Sequence, residues 1–141
     1  MGTWGAIGCY SFFSNKNMTT GEGGMLATDD DALAEKLRLL RSHGMTSLSW
    51  DRHRGHAYSY DVVDLGYNYR IDEMRSALGR VQLRKLPAGN QRRAGLTALY
   101  RQLLAELAPG VQMPFLKPRG SSCHHILPVL LPAGTDRLRF M

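Results

Sequence analysis

From Ala6 to Phe13 the chain is nearly continuous in apolar and small residues, the pattern of a buried strand. Thr19 to Gly24 reads as a turn, because Gly-x-Gly-Gly supplies the positive φ angles of a reversal. Met25 to Thr28 reads as a short returning strand. Asp29, Asp30 and Asp31 then offer capping carboxylates at a helix start. Leu33, Leu37 and Leu40 give that helix one apolar face, and Arg41, His43 and Gly44 suit its C-terminal end. Thr46 to Gly66 has no clean period. Asp72 looks like a second N-cap, followed by an apolar stripe at Met74, Ala77, Leu78 and Val81. Pro87 is expected to stop this helix at Leu86. A further helix is expected through Leu96, Leu99, Leu103 and Leu107, ending at Pro109-Gly110. Val111 to Ser122 reads as a connection, His124 to Leu131 as a strand, and Asp136 as the opening of a last helix. Helices that alternate with a few strands predict an α/β or α+β class.

The length, 141 residues, suits one domain with a real core. Hydrophobic content of 43% and charged content of 21% are ordinary for a soluble globular protein. No apolar run approaches the roughly 20 residues of a membrane span, so no membrane partner is expected. Met1-Gly2-Thr3-Trp4 lacks the basic start and apolar stretch of a signal peptide. Two cysteines, Cys9 and Cys123, do not make a disulfide framework. These features together predict the cytoplasm. The net charge of +6 is spread among helices and not packed into a tail, so nucleic acid is not expected as a partner.

Candidate chemistry begins at Lys16, just past the first apolar run and just before the glycine turn. A lysine there can form a Schiff base with a carbonyl cofactor, and pyridoxal 5'-phosphate (PLP) is the leading candidate. By pattern alone, a lysine near glycines is more often a solvated loop residue. Cys123-His124-His125 holds three ligand-type side chains in a row, but no second pair has zinc-site spacing, so no metal is expected. Glu22 among Gly21, Gly23 and Gly24 reads as hairpin geometry. Arg52, His53, Arg54 and His56 could line a pocket for an anionic group, or form a solvated basic loop.

The run Ser11-Phe12-Phe13-Ser14-Asn15-Lys16, followed by Gly21-Glu22-Gly23-Gly24, closely resembles the lysine segment of DegT/StrS-type sugar aminotransferases, a PLP family. Arg41-Ser42-His43-Gly44 resembles the family's Arg-x-His-Gly helix end. Gly66-Tyr67-Asn68-Tyr69-Arg70, with Ala77-Leu78-Gly79 and Gln82-Leu83, resembles a third block. The resemblance covers residues 5–87 in detail and continues, less specifically, around His125 and Arg137.

It implies an α/β fold, a part of the fold type I PLP-dependent aminotransferase architecture (aspartate aminotransferase-like), truncated at both ends. Residues 1–87 would be the later part of the large PLP-binding domain, 88–110 a connecting helix, and 111–141 the start of the small C-terminal domain. Lys16 would form the Schiff base with PLP and shuttle protons. Ser11 would bind the PLP phosphate, unless it is only a small polar strand end. Asn68 would reach the phosphate of the partner's cofactor in a homodimer, unless it is only a turn asparagine. The implied reaction moves an amino group from a donor such as glutamate to a nucleotide-linked keto-sugar. The family aspartate that pairs with the pyridine nitrogen lies upstream of the lysine, and no residue from Met1 to Gly8 matches it. The alternative expectation is therefore a non-catalytic aminotransferase fragment that binds a partner protein.

Overall fold

Strand β1, Gly8–Ser11, pairs antiparallel with β2, Gly24–Ala27, through Gly8↔Ala27 and Tyr10↔Met25. The coordinates are a computed structural model, and they describe residues 2, 4–46, 53–55, 59–117 and 120–141. The strand expected over Ala6 to Phe13 is thus shorter. Ile7 and Phe13 in this run, and Met25 and Leu26 on β2, are all exposed, less covered than the apolar pattern predicts. Gly8 is buried, but no large apolar side chain among the described residues is.

Helix α1, Asp31–Arg41, starts where the aspartate run places it. Asp30 is the cap, and its carboxylate accepts from the Leu33 amide at 3.0 Å, satisfying one of the orphan donors of the first turn. At the other end His43 and Gly44 both take positive φ, 62° and 67°, and the Gly44 amide closes onto the Leu39 carbonyl at 2.8 Å. Glycine is required at 44, because a Cβ there would collide with the Asp64 carbonyl.

Helix α2 spans Glu73–Leu107, with Asp72 accepting from the Arg75 amide at 2.8 Å as its cap. It passes straight through Pro87, where a stop is expected. Proline deprives the Leu83 carbonyl of its helical donor, a cost of about 3 kcal/mol. Long helical stretches on both sides, and an exposed ring, let the helix continue. The strand expected over His124 to Leu131 is also absent. Only Leu130 pairs, with Gln112, through two backbone bonds of 2.8 and 3.0 Å. His124 has φ of 48°, off the extended region, and Pro128 brings no amide hydrogen, so a ladder cannot run through the segment. Helix α3, Arg137–Phe140, is capped by Asp136, whose carboxylate accepts from the amides of Leu138 and Arg139.

The chain divides into two compact units. The first comprises Met1–Ser14 and Thr19–Arg80; the second comprises Asn15–Met18 and Val81–Met141. Among the described residues no helix is long and apolar enough to cross a membrane.

Candidate active site

Along the sequence, Lys16 falls between β1 and β2. The base of the connection between these strands is closed in the first unit. The Phe12 carbonyl accepts from the Thr20 amide at 2.9 Å and from the Thr19 hydroxyl at 3.1 Å, while the Phe12 amide donates to Gly23 at 2.8 Å. The Thr20 hydroxyl, 4% exposed, donates to the Glu22 carbonyl at 2.7 Å. Gly23, at φ of 147°, leaves room for that hydroxyl, which a Cβ would meet at 2.7 Å. Glu22 itself is exposed, and its backbone serves the turn as expected.

Ser11 is exposed at the end of β1, and its hydroxyl oxygen accepts from the Phe13 amide at 3.3 Å. The hydroxyl hydrogen remains available to a ligand oxygen. Asn68 is also in the first unit and exposed, and it bridges Ser42 in an antiparallel pair. This bridge joins two of the sequence blocks. The Tyr67 amide donates to Leu40, the His43 amide to Tyr67, and the Tyr69 amide to Arg41. Tyr67 and Tyr69 stack with centroids 5.0 Å apart, as alternate residues of an extended segment do. Alternation places Asn68 and Arg70 on the other side, and Arg70 reaches the buried Ser42 hydroxyl at 3.2 Å.

Lys16 belongs to the second unit and is half-buried. The next residue, Asn17, anchors it. Asn17 Nδ2 donates to Asn90 Oδ1 on α2 at 2.9 Å and to the Cys123 carbonyl at 2.7 Å. Asn17 Oδ1 lies 2.9 Å from His125 Nδ1. Sequence pattern does not bring His125, Asn90 and Asn17 together, since they lie far apart along the chain. The only local signal was an amide directly after the lysine.

The Cys123-His124-His125 run is divided among these tasks. Cys123 contributes its backbone carbonyl, His125 its ring, and His124 lines a cavity of about 380 Å³ with Thr97, Arg101 and Phe115. Cys9 and Cys123 are both free thiols. Of the basic loop, His53 and Arg54 are exposed, whereas Arg52 and His56 lie outside the described residues. By chemical type alone, the residues suit PLP: the second unit offers the Lys16 amine on an anchored loop, and the first unit offers the exposed Ser11 hydroxyl and the exposed neutral Asn68 amide.

Comparison with known proteins accounts for these blocks. The sequence profile of the DegT/DnrJ/EryC1/StrS aminotransferase family matches residues 1–141. The spore coat polysaccharide biosynthesis protein SpsC of Bacillus subtilis is 35% identical over 127 residues, covering 89% of this chain and 32% of SpsC. PseC of Helicobacter pylori, an aminotransferase involved in the biosynthesis of pseudoaminic acid, superposes with a TM-score of 0.82 at 31% identity, over 94% of this chain and 34% of PseC. Spr1654 of Streptococcus pneumoniae in its PMP form gives a TM-score of 0.76 at 25% identity, over 89% and 33% of the two chains. The chain spans about a third of the length of the relatives it matches. Its architecture is a part of the fold type I aminotransferase, and the chain belongs to the DegT/DnrJ/EryC1/StrS aminotransferase family.

Proposed function

We propose that the chain carries the lysine-bearing part of a PLP-dependent sugar aminotransferase that aminates a nucleotide-linked keto-sugar. The observation that carries this reading is the placement of Lys16 on a loop anchored through Asn17, five residues after the exposed Ser11 hydroxyl. Family membership and the PMP form of a solved relative support the cofactor.

When bound, PLP supplies an aldehyde for the amine and an electron sink for moving an amino group. Lys16 Nζ would hold the cofactor and would move a proton to and from the substrate side. Ser11 Oγ would donate to a phosphate oxygen while keeping the bond it accepts from the Phe13 amide. Asn68 offers an amide donor that pays no charge-desolvation cost, and it serves the phosphate of the partner's cofactor in a homodimer. Two exposed free thiols suit a reducing compartment, the cytoplasm.

A spectral titration tests the reading. Adding PLP to the chain is expected to produce a visible absorbance band. Lys16→Ala should abolish it, and Ser11→Ala should keep it but demand more cofactor. A band unchanged in Lys16→Ala would refute the assignment.

A second reading, a non-catalytic fragment that binds a partner protein, is favoured by one observation: many of the described apolar side chains, Leu65, Leu96, Leu99 and Leu107 among them, stand exposed. Light scattering distinguishes the two, since this reading predicts association without any cofactor band.

A further inference from the structure

The Asn17 amide has three polar partners, and their arrangement settles more than the loop's position. A primary amide has two N–H donors on one nitrogen and one accepting oxygen. Both donors of Asn17 are used, toward Asn90 Oδ1 at 2.9 Å and the Cys123 carbonyl at 2.7 Å. A flipped amide would set oxygen against the Cys123 carbonyl oxygen, so the orientation is determined by the network. The Asn17 oxygen then faces His125 Nδ1 at 2.9 Å and can only accept. Nδ1 therefore carries the proton, and in the neutral ring Nε2 is left as the accepting nitrogen.

We infer that Asn17 is a positioning residue for Lys16, and that it sets His125 in the Nδ1–H tautomer with Nε2 presented as an acceptor. Lysine has a long flexible stem, so its amine is placed reproducibly only if its backbone is held. Asn17 is the adjacent residue, and its three bonds span 73, 106 and 108 positions of sequence, to α2 and to the Cys123–His125 segment. Small displacements of a reacting group carry large costs, which gives the clamp a role beyond stability. The positioning half rests on the reading of Lys16 as the cofactor lysine; the tautomer half does not.

The test uses the ¹⁵N-labelled 141-residue chain at a pH where His125 is neutral. Long-range ¹H–¹⁵N correlation is expected to show His125 protonated at Nδ1, with Asn17→Ala moving it toward Nε2–H. Asn17→Asp still accepts from His125 but loses both donations, so it should retain Nδ1–H. Each protein is then treated with PLP and borohydride and mapped by peptide mass. Both variants should lose labelling at Lys16 severalfold, with Lys36, Lys85 and Lys117 unchanged. If Asn17→Ala fails to fold, Asn90→Ala, which removes one bond of three, should show the same loss in smaller degree. An Nε2–H ring in the wild type overturns the clamp. An Nδ1–H ring with Lys16 labelling unaffected by the variants overturns the positioning role. Absence of Lys16 labelling in the wild type counts against the cofactor reading, and with it the positioning half, while the ring tautomer still decides the clamp.

Discussion

The Ser42 hydroxyl, 0% exposed, accepts a hydrogen bond from Nη1 of Arg70 at 3.2 Å. The bond ties the end of α1 to the extended Gly66–Arg70 segment, and its two partners differ in exposure. Arg70 is exposed and water can rehydrate its guanidinium, so Ser42→Ala should cost only about 0.5–1.5 kcal/mol. Arg70→Leu strands a buried hydroxyl and should cost more, about 1–3 kcal/mol. The double variant should be less destabilised than the sum of the two. Urea unfolding of the four proteins checks the order; equal single costs with full additivity would remove the coupling.

Gly44 and Gly21 separate two causes of glycine requirement. Both have positive φ, 67° and 81°, but a Cβ on Gly21 meets nothing within 4 Å. Gly21→Ala should therefore cost about 1–2 kcal/mol from backbone conformation alone. Gly44→Ala should cost distinctly more, because the Asp64 carbonyl must also move. Thermal unfolding of the pair measures the difference.

Asp30 is the one carboxylate of the Asp29–Asp31 run that accepts from the Leu33 amide. Asp30→Ala should destabilise by about 1 kcal/mol, and Asp29→Ala by less than about half of that. Equal effects, read from denaturant midpoints, would show that the run acts only as diffuse charge.

Pro87→Ala restores a donor for the Leu83 carbonyl within α2. It should raise stability by up to about 3 kcal/mol and increase the far-ultraviolet helical signal. A loss of helicity would mean that the proline serves the helix through packing.

What was legible in the sequence was local chemistry. Asp30, Asp72 and Asp136 each cap the helix expected of them, because an N-cap is decided within three residues. The pairing of Met25 with Tyr10 likewise follows from a nearby turn. Pro87 misleads, because its cost is local whereas the reward of a 35-residue helix is not. The apolar run at β1 predicts burial, but exposure depends on what is packed against it, which pattern alone does not contain. For the candidate site, Lys16, Ser11 and Asn68 stand out by motif. The Asn17, Asn90 and His125 network does not, because amide partners separated by 73 to 108 positions leave no periodic trace.

The most direct test of the central claim is to mix the chain with PLP, reduce with borohydride and map the modified peptides. The chain has lysines at 16, 36, 85 and 117. A cofactor site predicts an adduct confined to Lys16. An adduct spread over all four lysines, or none at all, would contradict it.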